Sequence, residues 1–331
     1  MTCKIALVDS GIDAELYEDQ VIRYVEYTED PNVESEYDST GHGTLCGSAM
    51  LSINPDIQFV ALKVLNEKNI CSDERLIKAL TLLSDIDVNI INLSLSTCSW
   101  AFMEQYKKII ATLIEQGKVI IASTINGNKN SLLSGLNGTI GIYGNLFECP
   151  QYYWYCKSNI VQCVANAVPY LYKGKHGQYE LFGGNSKATA IFSGIVSLYW
   201  DQLKDCNFED KETFLEDLAL RQSWSAEEIC LDPLSYNRHT LLSVRDWIYS
   251  KVSSVLSEQL KVKLSDIVNP NGKRLYELGL TRYNAFNIIQ SIEKEVGIKL
   301  NYSDVNIFWF ASIDTLCKNI REVKFGSRSY E

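Results

Sequence analysis

Histidine is scarce in this chain, with three among 331 residues. Any chemistry that needs an imidazole must therefore use His42, His176 or His239. Positive charge is also short: 31 Lys and Arg against 41 Asp and Glu leave a formal net charge of −10. That gives no basic footprint for nucleic acid or for an anionic membrane surface, and it favours basic or neutral substrates. No apolar run approaches the length of a membrane span. The first residues enter a strand pattern without a signal-like cleavage site, and the expectation is a cytoplasmic protein that folds without a leading segment. The ten cysteines are scattered. Cys149, Cys156 and Cys163 are evenly spaced, but no CxxC pair or nearby histidine makes them a metal site. Free, mostly buried thiols in a reducing compartment are expected, with no metal and no cofactor.

What is present is an alternation. Apolar runs at Lys4–Val8, Gln58–Leu65, Val88–Ser96 and Val119–Thr124 are separated by amphipathic stretches at Ser72–Leu83 and Trp100–Gln116. That order predicts a doubly wound α/β fold with a parallel sheet. Shorter strands are expected at Thr139–Tyr143, Ile160–Ala167 and Gln178–Phe182. In such sheets the working residues gather beyond the carboxyl ends of the strands. Asp9, Ser94–Ser96 and Asn126 all fall there.

A glycine-marked turn, Gly183-Gly184-Asn185-Ser186, leads into the apolar run Ile191–Leu198. It places Ser186 at the start of a helix, beside unpaired main-chain N–H groups. Such a hydroxyl is either an ordinary helix cap or a nucleophile. His42 sits in the small-residue run Ser39-Thr40-Gly41-His42-Gly43-Thr44, and Asp9 ends the first strand. Together the three can form a relay. His42 takes the proton from Ser186, Asp9 fixes the imidazole, and Asn126 with the Ser186 N–H shelters the oxyanion.

Val8-Asp9-Ser10-Gly11-Ile12, Gly41-His42-Gly43-Thr44-Leu45-Cys46-Gly47 and Gly184-Asn185-Ser186-Lys187-Ala188 resemble the three signature segments of subtilisin-like serine peptidases, in that family's order. The resemblance runs from about residue 4 to 203. It implies that Asp9, His42 and Ser186 are catalytic, with Asn126 as the oxyanion donor and Asn128 as a rival. It further implies that an extended peptide lies between Ser94, Leu95 and Ser96 on one side and Val64 and Leu65 on the other. Ile125, Asn185, Lys187 and Ala190 depart from the family pattern and put helix entry and substrate fit in question. Cys46 reads as packing rather than as a second nucleophile.

Beyond an irregular extension at 204–243, a new period begins. Val244, Ile248, Val252, Val255, Leu256 and Leu260 step by three and four, and a second helix follows with Thr281 as its cap. A last helix starts near Ser312. The expected division is a peptidase domain at 1–243 and a small helical bundle at 244–331. Glu277–Tyr283 and Ile292–Leu300 resemble acyl and peptidyl carrier proteins. The position that bears the phosphopantetheine serine in those proteins is Arg282 here, so the resemblance implies a module that is not loaded. It could instead brace the peptidase, or dock a precursor or a biosynthetic partner. The combined expectation is an endopeptidase that processes a leader peptide during maturation of a peptide natural product. The alternative is a catalytically silent scaffold in a biosynthetic assembly.

Overall fold

The protein is seen here as a computed structural model that describes residues 2–27, 37–125, 131–229, 246–268 and 274–326. The chain divides into two compact units. One comprises Met1–Ala167, Lys173–Gln178 and Gly183–Leu231; the other comprises Val168–Tyr172, Tyr179–Phe182 and Asp232–Glu331. This division differs from a single cut at 243. A short apolar hairpin from the middle of the sequence belongs with the C-terminal helices.

The first unit is built on eight strands: β1 (Lys4–Asp9), β2 (Val21–Glu26), β3 (Gln58–Lys63), β4 (Ile90–Leu93), β5 (Val119–Ser123), β6 (Thr139–Asn145), β7 (Trp154–Tyr155) and β8 (Cys163–Asn166). Their order across the sheet is β2-β3-β1-β4-β5-β6-β8-β7. Every neighbouring pair is parallel except β7 with β8. Parallel strands need crossovers, and three of them carry helices: α1 (His42–Leu51) before β3, α2 (Asp73–Leu82) before β4 and α3 (Met103–Glu115) before β5, while α4 (Gly184–Leu198) follows the last strands. Two short helices follow, α5 (Trp200–Leu203) and α6 (Phe208–Asp217).

The central strands are covered on both faces and so read as nearly unbroken apolar runs. Ala6, Val8, Val60 and Leu62 pack with Leu76 and Leu80 of α2 and with Tyr106, Ile110 and Leu113 of α3. On the other side α1 and α4 lie against each other. Gly194 permits that approach, because a Cβ there would stand 2.9 Å from Ile53 Cβ and 3.0 Å from the Met50 carbonyl. The strand β4 stops at Leu93, and Ser94–Ser96 lie just past its end. α4 begins at Gly184, so Ser186 is its third residue rather than its first.

The second unit contains α7 (Trp247–Leu260), α8 (Leu264–Val268), α9 (Ala285–Val296) and α10 (Ile313–Phe325), together with the strand β9 (Tyr170–Lys173) as far as Tyr172 and the strand β10 (Tyr179–Phe182). One core joins Ile248, Val252 and Leu256 of α7, Ile288 and Ile292 of α9, and Leu316 and Ile320 of α10 with Leu171 and Leu181 of the hairpin. Asp246 caps α7 by accepting from the Tyr249 N–H at 2.9 Å. The same carboxylate takes two bonds, 2.9 and 2.8 Å, from the buried guanidinium of Arg321. The cap of α9 is Asn284 rather than Thr281. Thr281 sits one turn earlier and exchanges bonds with it, giving its N–H to Asn284 Oδ1 at 2.7 Å. Val244 lies outside the described residues.

Cys3, Cys46, Cys71, Cys149, Cys156, Cys163, Cys206 and Cys317 are free thiols. Cys3, Cys46, Cys163 and Cys317 are buried and Cys98 is exposed, with the rest between. Among the described residues no helix is long and apolar enough to cross a membrane.

Candidate active site

Asp9 ends β1 with none of its surface exposed. Its main-chain carbonyl receives the N–H groups of Val64 (2.8 Å) and Leu65 (3.1 Å), which fixes the strand end. Its carboxylate Oδ1 accepts from the Ser10 N–H and meets His42 Nδ1, both at 2.7 Å. The imidazole reaches that carboxylate because α1 starts unusually close to the strand. A Cβ on Gly43 would stand 1.9 Å from the Gly11 carbonyl, so only glycine fits.

Asp38, which the sequence did not single out, holds this approach together. It is 1% exposed. Its carboxylate accepts from Ser10 Oγ (2.7 Å), the Gly41 N–H (2.9 Å), the Thr44 N–H (2.8 Å) and Thr44 Oγ1 (2.6 Å). One buried acid thus ties the residue after Asp9 to the first turn of the histidine's helix. The legible signal was an acid just before a glycine-rich helix start, where negative charge is favoured.

Burial alone would lower the His42 pKa. The charge and hydrogen bond of Asp9 outweigh it, and the imidazole is held well above its ordinary 6.5. Cys46 lies beneath, its Sγ 3.9 Å from His42 Nδ1. Burial raises the thiol's pKa against the pull of the imidazole, so the sulfur stays protonated. Asp9, His42 and Cys46 are the group of potential metal ligands found among the described residues, all within 4.8 Å of one another. With Nδ1 and Oδ1 engaged by each other and the thiol protonated, the donor set suits a proton relay better than a cation.

Ser186 rides on the first turn of α4, after Gly184 at φ +84°, a conformation that suits glycine. The side chains on either side of it are staples. Asn185 accepts from the Gly144 N–H at 2.9 Å and donates to Thr124 O and Oγ1 at 3.2 and 2.9 Å. Lys187, fully buried, gives its Nζ to Asn166 Oδ1 at 2.8 Å. The Asn166 amide in turn donates to the carbonyls of Phe147 and Cys149, both at 2.9 Å. These two departures from the family pattern therefore fix the helix entry rather than loosen it. Burial pushes the Lys187 amine well below its ordinary 10.5.

His42 and Ser186 line one cleft of about 350 Å³. The Ser186 hydroxyl donates to the Ser94 carbonyl at 3.2 Å, and Ser94 Oγ answers by donating to the Ser186 carbonyl at 3.1 Å. Ser94, Leu95, Ser96 and Thr97 form one side of the cleft, as the sequence suggested for the first three. Asn69–Asp73 line it as well, with Leu65. Val64 does not face it. Its side chain is buried, its N–H is given to Asp9 and its carbonyl accepts from Arg75 at 3.1 Å, so no edge remains there for a peptide. Asn126 and its rival Asn128 lie outside the described residues, as does His239, while His176 is exposed.

A buried acid bonded to an imidazole, beside a serine at a helix start on the carboxyl rim of a parallel sheet, is a hydrolase arrangement. Residues 2–230 match the Subtilase family of peptidases. The chain belongs to the subtilase family. As a subtilase it is a subtilisin-like serine endopeptidase. Solved structures with this fold include a lanthipeptide protease (TM-score 0.52, 20% identity, covering 66% of this chain and 80% of that one). Sphericase is another (0.54, 17%, 65% and 82%), and a cold adapted subtilisin-like serine proteinase a third (0.53, 16%, 65% and 81%). At such identities the likeness is one of fold. A search of curated proteins found no match.

Proposed function

We propose that this subtilase cuts a precursor peptide through Asp9, His42 and Ser186, releasing a leader segment during maturation of a peptide natural product. The observation that carries the triad is the 2.7 Å Asp9–His42 bond beside the cleft that Ser186 also lines. In this reading Ser186 Oγ turns from the Ser94 carbonyl and attacks the scissile carbonyl, and His42 takes its proton. Asp9 holds the imidazole's tautomer and steadies the imidazolium. The Ser186 N–H at the start of α4, together with the Asn126 amide, stabilises the oxyanion. His42 then protonates the leaving amine, and water resolves the acyl-enzyme. An extended peptide lies along Ser94–Ser96 as an added strand.

The leader-peptide role is supported by the lanthipeptide protease among the similar structures and by the carrier-like sequence of the helical unit, whose Arg282 cannot bear a phosphopantetheine arm. The helical unit would dock a precursor or a biosynthetic partner. The free thiols support a cytoplasmic setting.

A fluorophosphonate probe tests the triad: it should label the intact chain and fail on Ser186→Ala. Mass spectrometry of products from a precursor-peptide library should then show one preferred cut. The silent-scaffold reading is favoured by the Ser186–Ser94 bond, and absence of labelling in the intact chain would establish it.

A further inference from the structure

The cleft that His42 and Ser186 line carries one acidic side chain, Asp73, and neither a Lys nor an Arg. Asp73 opens α2 and is half-buried. Its Oδ1 accepts two hydroxyls, Thr97 Oγ1 at 3.1 Å and that of Tyr106 at 2.7 Å. Tyr106 is fully buried. Burial first, and the Asp73 bond second, hold its phenol above the ordinary 10.0, so it stays a donor. Both bonds fall on one oxygen, and among the described residues no donor is bonded to Oδ2. Arg75, two residues along, gives its guanidinium to the Val64 carbonyl at 3.1 Å instead.

The distance from Ser186 follows from the chain. Ser94 exchanges bonds with Ser186 at 3.2 and 3.1 Å, and Thr97, three residues on, meets Asp73. Three residues span at most about 11 Å. An extended peptide advances about 3.3 Å per residue, so the side chain that reaches Asp73 comes from three or four places away from the cut. Leu65, Leu76 and Leu95 line the same cleft. A long basic side chain suits this mixture, since its methylene stem packs on apolar surface while its head bonds the carboxylate. An acidic side chain would meet Asp73 and a chain of net charge −10.

We propose that Asp73 is a specificity-determining residue, selecting peptides that carry Lys or Arg three or four residues from the cut. The inference rests on the reading of this chain as a peptidase that takes an extended peptide. It adds the charge that the peptide must present.

A peptide library in which Lys, Gln and Glu are moved through each position near the cut tests it on the full chain. At one position three or four residues away, Lys should exceed Gln in kcat/KM by about fivefold, the upper end for a partly exposed pair, with Glu poorest. About 1 M salt should shrink that ratio to about twofold. Asp73→Asn keeps an oxygen for Thr97 and Tyr106 but removes the charge. It should bring the ratio near one while leaving the Gln peptide within about twofold. A variant that slows every peptide equally and keeps the Lys preference overturns the proposal, as does a wild-type chain indifferent to Lys and Gln. Should Asp73→Asn fail to fold, Asp73→Glu extends the carboxylate by one methylene, and the optimum should move from Lys to the shorter ornithine. An unmoved optimum also overturns it. Binding of the same peptides to Ser186→Ala, followed by fluorescence anisotropy, separates the two readings. A Lys preference in binding without any cleavage by the wild-type chain refutes the peptidase reading and leaves the charge selection standing, whereas equal binding refutes the selection.

Discussion

Each unit hides a long basic side chain, and the two are treated differently. Lys187, in the sheet unit beside Ser186, is 0% exposed and gives its amine to the neutral carbonyl oxygen of Asn166. Arg321, in the helical unit, is 1% exposed and faces the Asp246 carboxylate with two bonds. An amine can escape the cost of burial by shedding its proton, and burial drives Lys187 that way. A guanidinium cannot, so its burial requires a counter-charge. The hydrogen bond from Arg321 is the main reason the Asp246 carboxyl is held below its usual range. In the sheet unit the buried carboxylate of Asp9 meets the imidazole, and that of Asp38 ties the histidine's helix to the strand end. The helical unit uses its buried charge pair to tie the cap of α7 to α10.

That contrast can be broken by substitution. Asp9→Asn should give the largest effect, a loss in kcat on the order of 10⁴-fold, read against a much smaller change in melting temperature. It should also move the pH profile. In the proposed relay the base is neutral His42, so activity should appear as pH rises through its pKa. Asp9 holds that pKa well above 6.5, and removing its charge should shift the acid limb downward.

Asp246→Asn should next cost stability, about 3 kcal/mol in denaturant unfolding. That is the low end for a broken buried pair, because the Asp246 side chain is 26% exposed. The sign with pH follows from a folded-state pKa below the unfolded one. The pair's contribution is present above the ordinary carboxylate range and is lost as pH falls through the folded pKa, a loss the variant should not show.

Lys187→Met probes the other side. The unfolded chain binds a proton at Lys187 that the folded chain lacks, so wild-type stability should fall on acidification below 10.5. The fall relative to the variant should be about 1.4 kcal/mol per pH unit, down to the folded pKa. Smallest of all, Lys251→Ala removes an exposed pair with Glu295 and should leave the melting temperature unchanged.

The apolar runs at 4–9, 58–63, 90–93 and 119–123 were readable because covered parallel strands need no polar alternation. The strand β2, Val21–Glu26, was not, since an edge strand with mixed burial carries no such run. The two-residue β7 is too short for any periodicity. In the site, Asp9, His42 and Ser186 stood out because each sits beside a glycine turn. Asp38, Asn166 and the role of Val64 did not. A polar residue's partner across 28 or 21 positions leaves no local pattern. The helical periods located α7, α9 and α10, but the hairpin's membership in that unit was invisible, because Tyr179 and Leu181 alternate as any strand would.

The divided hairpin also sets an order of events during synthesis. Residues 168–182 emerge long before Phe286, Tyr302 and Val305, the partners that seat them. At ordinary translation speeds the interval is on the order of ten seconds. A nascent chain thus carries the hairpin out of the ribosome well before the helices that pack against it.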